Sequence, residues 1–157
     1  MSIENVKNYF KKYGIEDRVI EFDVSSATVD LAAAALHTDG ARIAKTLSFK
    51  LAGGPILIVC AGDAKIDNPK YKATFGEKAK MLSFDEVEAL IGHAVGGVCP
   101  FAVKEGVRIY IDKSLDRFET VFPACGSSNS AIEMTVDEIK KYSGECESVD
   151  VCKLPEV

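Results

Sequence analysis

The sequence has no tryptophan, only two histidines (His37 and His93), and five cysteines without a single Cys-x-x-Cys pair. Each shortage removes a class of chemistry. An odd set of scattered cysteines (Cys60, Cys99, Cys125, Cys146, Cys152) provides neither a disulfide framework nor a structural zinc site. Reduced thiols and a cytoplasmic location are therefore expected. Two isolated histidines and no Gly-x-Ser-x-Gly elbow leave little for a Ser-His-Asp site. No His/Cys/Asp cluster has metal-ligand spacing, and no Walker or dinucleotide glycine pattern opens a helix after a strand, so neither a metal nor a cofactor is expected. No apolar run reaches the length of a membrane span, and Met1-Ser-Ile-Glu-Asn lacks the basic start and apolar stretch of a signal peptide. No membrane partner is expected.

Positive charge is short as well. The formal net charge is -5, whereas an extended nucleic-acid footprint needs a basic face, so DNA is not an expected partner. The deficit is uneven. Between Asp63 and Lys80, five lysines meet three acids, a local +2 against -7 for the rest of the chain. That segment reads either as a solvated face or as a small patch able to meet one end of a nucleic acid.

What is present is ordinary globular material: 157 residues, 47% hydrophobic and 27% charged. One domain covering 1–157 is expected, long enough to bury a core without staples. Ser2 can cap a first helix carrying Val6, Tyr9, Phe10 and Tyr13, stopped by Gly14. Arg18 to Phe22 reads as a strand. Thr28 to Leu36 reads as an alanine-rich helix packed into the core and closed by His37 and Gly40. Thr46 to Leu51 and Ile56 to Ala61 form a hairpin across Gly53-Gly54-Pro55, the second run buried on both faces. Asp67 or Asn68, with Pro69, starts a helix that stops at Gly76. A short strand from Ala79 to Leu82 precedes a capping box, Ser83 to Glu86, whose helix should turn Phe84, Val87, Leu90 and Ile91 inward. Strands follow at Val107 to Ile111 and Glu119 to Phe122, and a polar turn from Ser127 to Ser130 leads into Ala131 to Met134. A second capping box, Thr135 to Glu138, opens a last helix, and Ser148 to Val151 reads as an edge strand. The mixture indicates an α/β or α+β domain around a mixed, curled sheet.

Two features could carry chemistry. Gly92-His-Ala-Val-Gly-Gly-Val-Cys-Pro-Phe101 holds three glycines and a proline in ten residues, which suits a stiff, bare-backbone loop against a ligand and equally an ordinary long turn. Within it, Cys99 is a conceivable nucleophile if His93 lowers its pKa, and otherwise a buried thiol. Lys45 opens a hydrophobic strand, where a cation either snorkels to solvent or faces a cleft.

Five motifs in register sharpen this. Ile43-Ala-Lys45-Thr-Leu47, Gly62-Asp63 with Ile66-Asp67, Gly92-x-x-x-Gly96-Gly97-x-x-Pro100-Phe101, Val107-x-Ile-Tyr-Ile-Asp112-x-Ser-Leu115, and Gly126 before Ala131-Ile-Glu-Met134-Thr135 together resemble the YbaK-type aminoacyl-tRNA deacylases. That family includes free-standing Cys-tRNA(Pro) deacylases and the editing domain inserted in some prolyl-tRNA synthetases. The resemblance spans about Ser25 to Asp150. It implies an α/β domain with a mixed, barrel-like sheet surrounded by helices, and an activity that cleaves the ester joining a misattached amino acid to tRNA. It implies Lys45 as the catalytic residue, Gly96, Gly97, Val98, Pro100 and Phe101 as a substrate loop, and Gly126, Ser127 and Ser128 as the closure of an amino-acid pocket. The implied partners are the acceptor end of an aminoacyl-tRNA, tRNA(Pro) first, and a prolyl-tRNA synthetase. Cys99 stands where a serine is common, and the Phe22-Asp23 region lacks a tyrosine or histidine. Beside this hydrolase stand two other expectations: a non-catalytic module of the same fold that holds tRNA ends or a synthetase, and a thiol hydrolase using Cys99.

Overall fold

One apolar run and the strand before it set the architecture. The continuous run Ile56 to Ala61 can only sit between two covered faces, and the turn Ala52-Gly53 folds the preceding strand back on it. In the computed structural model, which describes residues 2–155 apart from the side chain of Ser2, this pair is the centre of the sheet. In chain order the elements are α1 (Ser2–Lys11), β1 (Ile20–Glu21), α2 (Val29–Leu36), β2 (Ile43–Leu51), β3 (Gly54–Ala61), β4 (Lys65–Ile66), α3 (Asn68–Phe75), α4 (Phe84–Ile91), β5 (Arg108–Asp112), β6 (Phe122–Pro123), β7 (Ser130–Ala131), α5 (Val136–Tyr142), β8 (Cys146–Val149) and β9 (Cys152–Lys153). Short 3-10 turns occupy Glu16–Arg18, Gly40–Arg42 and Lys113–Arg117.

The main sheet runs β6-β2-β3-β5-β8. β2 and β3 pair antiparallel from Ala44↔Ala61 to Leu51↔Gly54, and the outer pairings are parallel. The result is a mixed, curled half-barrel flanked by helices, an α/β fold. Every residue of β3 from Ile56 onward is buried. On one side Phe10 of α1 meets Phe101 edge-on at 4.9 Å; on the other Tyr71 of α3 packs between Phe49 and Phe75. Burying each of these rings is worth about 2–3 kcal/mol.

Local rules place the helix ends. Thr28 Oγ1 accepts the Leu31 N–H at 3.2 Å, and His37 closes α2 in the left-handed region at φ 55°. Asp67 caps α3, and Gly76 ends it at φ 74°. Both capping boxes form, Ser83 with Glu86 and Thr135 with Glu138. Glu138 also pairs with Arg18 at 2.7 Å, a contact that holds its carboxyl down at about 2.

Several expectations are corrected. The strand from Arg18 to Phe22 shrinks to β1, because Glu16–Arg18 coils into a 3-10 turn. Ala79 to Leu82 makes only one bridge, Met81 to Phe49. The strand placed at Glu119 to Phe122 is β6, and the tail strand begins earlier, at Cys146. α2 buries only Ala32. α4 turns Val87 and Ile91 inward, but Phe84 is 75% exposed and Leu90 is exposed too, since one eight-residue helix covers the core with a single i, i+4 pair. The cap expected from Ser2 lies outside the described residues.

Candidate active site

The start of β2, the α2 entrance, the 81–87 segment, the glycine loop and the 122–131 segment surround a cavity of about 480 Å³. Its buried walls are largely apolar (Ile43, Ala44, Leu82, Phe122), while exposed Thr28, Met81, Phe84 and Val95 mark its mouth.

Lys45 lies on this cavity, half-buried in β2 opposite Cys60. Its Nζ donates to Gly62 O at 3.4 Å and, more closely, to Ala64 O. Two of the three ammonium donors are thereby fixed and one is left for a ligand. The turn carrying those carbonyls is itself held. Ala64 N–H returns to Ala61 O at 3.0 Å, and Arg117 grips Asp63 with two bonds, 3.0 and 2.6 Å long. That guanidinium, with a smaller contribution from Lys45, keeps the Asp63 carboxyl below its ordinary range. Ser114 Oγ accepts the Ala61 N–H at 3.0 Å, and Asp112 accepts from Ser114 N–H and Val151 N–H. The fourth motif of the sequence thus acts on the second: it fixes the turn that holds the lysine.

The glycine loop forms the opposite shelf. Gly92 ends α4 at φ 97°, and Gly96 turns at φ 96°. Gly97 lies so close to the 126–127 backbone that a Cβ there would stand 2.6 Å from Ser127 N and 2.7 Å from Gly126 C. Gly96 and Val98 line the cavity, whereas Gly97, Gly126, Ser127 and Ser128 stand behind the shelf. Ser128 O accepts the Ser26 N–H at 2.6 Å, joining that layer to the α2 entrance. Pro100 and Phe101, expected at the substrate, are buried and do not line the cavity; the Phe101 ring is fully covered in the core, packed against Phe10. Sequence reasoning missed Thr46, Ser48, Phe84, Ala124, Ser130 and Ala131 on the wall. None of these carries a chemical signature; only their place in the fold brings them there.

His93 and Cys99 do meet, Nε2 to Sγ at 3.5 Å, but both are fully buried. His93 Nε2 is 2.7 Å from Phe101 O, which can only accept, so that nitrogen carries the proton and cannot take one from the thiol. Burial lowers the imidazole pKa and pushes the Cys99 thiol up to about 12. Near neutrality the thiol stays protonated and has no base. This corrects the thiol-hydrolase expectation. Cys99→Ala should lose about 1 kcal/mol of stability from the small cavity created, and any ester hydrolysis by the parent should persist in it; loss of turnover in a folded variant would return Cys99 to the mechanism. Among the described residues, no three His, Cys, Asp or Glu side chains could share a metal ion, and no helix is long and apolar enough to cross a membrane.

Comparison with known proteins agrees with this architecture. The chain is 52% identical over 154 residues to YwhH, an uncharacterized protein of Bacillus subtilis, covering 98% of both chains. It is 30% identical over 122 residues to a proline–tRNA ligase of Streptococcus pyogenes, matching 73% of this chain and only 19% of the ligase. A solved structure described as a candidate trans-editing enzyme for prolyl tRNA synthetase superposes with a TM-score of 0.87 at 25% identity, over 97% of each chain. The model of the aminoacyl-tRNA editing domain matches residues 24–142. This chain belongs to the aminoacyl-tRNA editing domain family, as a YbaK-type member.

Proposed function

We propose that this protein is a cytoplasmic trans-editing deacylase that hydrolyses the ester of mischarged tRNA, Cys-tRNA(Pro) before others, alongside a prolyl-tRNA synthetase. The observation that carries the reading is the Lys45 ammonium, tethered by two backbone carbonyls on the wall of a cavity whose far side is a glycine shelf. An aminoacyl ester is already activated, so a nucleophilic side chain is not required. A fixed cation beside the carbonyl favours the negative charge that develops as water, or the substrate's own thiol, attacks. The cavity suits one amino acid and the adjoining sugar. Its Ile43, Phe122 and Leu82 walls favour a small, weakly polar side chain such as that of cysteine. Only the end of the tRNA need be gripped, which fits the acidic chain as a whole.

The test is a deacylation panel: tRNA(Pro) charged with cysteine, alanine or proline, incubated with the purified protein. Cysteine should be released at least tenfold faster than proline. Release of none, with the charged tRNA still bound, would identify a binding module instead; release of all three at equal rates would remove the proposed selectivity.

A further inference from the structure

The edge of β2 beside Lys45 is interrupted. One edge pairs with β3 along nearly its whole length. The other changes neighbour: Ile43 and Ala44 pair with Phe122 and Pro123 of β6, whereas further on Leu82 N–H bonds to Ser48 O at 3.2 Å and Lys50 N–H to Lys80 O at 2.8 Å. Along a strand, the N–H and C=O of alternate residues point to the same edge. The bonds of Ser48 and Lys50 therefore fix the direction of Thr46: its N–H and C=O point away from β3, into the interval that neither neighbour covers. Among the described residues no backbone group bonds Thr46 on that side. The cavity fills the interval, with Phe122 and Ala124 at one end and Met81 and Leu82 at the other. Thr46 Oγ1, enclosed by protein, has no partner either. Buried polar groups are normally satisfied. A main-chain donor and acceptor left open side by side on one strand edge, facing a cavity next to a tethered cation, mark a place kept for something that supplies the complementary groups.

The geometry points to Thr46 as the docking position for the main-chain atoms of an aminoacyl group. Its C=O accepts from the substrate's α-amine, and its N–H donates to the ester carbonyl oxygen. This rests on the editing reading and adds which substrate atoms the backbone reads. The match is one of covalent geometry. An aminoacyl ester is an N–Cα–C=O unit, and that unit presents a donor and an acceptor to one edge as any strand residue does. The substrate fills the missing rung of the sheet. Docked so, its carbonyl lies one residue from Lys45. Its side chain stands off the strand edge, where the apolar wall reads its size. Every amino acid offers the same two main-chain atoms, so this contact sets orientation and leaves side-chain choice to the wall.

The experiment alters the substrate and leaves the protein intact. tRNA(Pro) carrying a cysteinyl group is compared with the same tRNA carrying the acyl group with hydrogen, or with hydroxyl, in place of the α-amine, each rate being divided by the spontaneous hydrolysis of that ester. The desamino ester should show a kcat/KM about 10- to 100-fold lower, the loss typical of one charge-assisted hydrogen bond, and the hydroxy ester, which keeps a donor, a smaller loss. Equal ratios for cysteinyl and desamino esters would overturn the docking and leave the editing reading standing. No hydrolysis of the cysteinyl ester would overturn both. Thr46→Val, which exchanges the hydroxyl for a methyl group and leaves the main chain as it is, should retain the dependence on the amine; its disappearance would move the contact from backbone to side chain and overturn the assignment.

Discussion

Lys45→Ala should lower kcat/KM for a mischarged tRNA by about 10²- to 10³-fold, the usual loss when one preorganised electrostatic group is taken from a reacting carbonyl. The fold should survive. Lys45 is half-buried, and the two carbonyls it leaves, Gly62 O and Ala64 O, lie beside a cavity that water can enter. The stability cost is then about 1 kcal/mol. The division of the loss is informative. If the ammonium meets developing charge, kcat falls and KM stays nearly level; if it grips the terminal phosphate, KM rises. Lys45→Arg should not rescue activity, because a planar guanidinium cannot copy a compact ammonium seated between two carbonyls of one turn. Single-turnover deacylation with a matched tRNA-binding measurement reads both quantities. Undiminished turnover in Lys45→Ala would remove the lysine from the mechanism.

Much of the fold was legible because its signals are local. A capping box closes within four residues, so both boxes could be read directly, as could Gly76 and Gly92 at their helix ends. The run Ile56 to Ala61 announced its burial by having no polar face. Phe84 shows where such reading fails. Its spacing with Val87 and Ile91 says inward, yet the wall it would face is missing, because that space is the mouth of the cavity. α2 fails in the same way: alanines suit a core, but only Ala32 reaches one. The site was less legible still. By its position alone Lys45 could as well snorkel to solvent; its neighbours are carbonyls 17 and 19 residues further on, and only the family resemblance gave it a catalytic role. Thr46 stands inside the first motif, but no feature of the sequence assigned it a role. Its open edge arises because β6 and the 80–82 segment, remote from it and from each other in sequence, stop short of meeting.

Gly62→Ala should be the most damaging single-methyl change in the protein. A Cβ at Gly62 would lie 2.0 Å from Gly40 O and 2.8 Å from Val29 Cγ1. The first is backbone, fixed in the 3-10 turn that leads into β2, so no side-chain rotation relieves the contact. Gly62 is not among the positive-φ glycines. The cost is therefore steric and not conformational. Overpacking of this kind costs about 3 kcal/mol, which for a chain of this size lowers Tm by roughly 6–12 °C. The damage should also reach activity. Whichever side yields, Gly62 O and Ala64 O move relative to the entrance of β2, and Lys45 loses the position that two carbonyls gave it. Thermal unfolding and deacylation of the same preparation, measured below the lowered Tm, separate the two losses. Gly53→Ala is the control: nothing lies within 4 Å of a Cβ there, so its stability should stay within about 0.5 kcal/mol of the parent. A Gly62→Ala protein that melts with the parent would mean that the 62–64 turn does not press against Gly40 in solution, and the tether on Lys45 would lose its support.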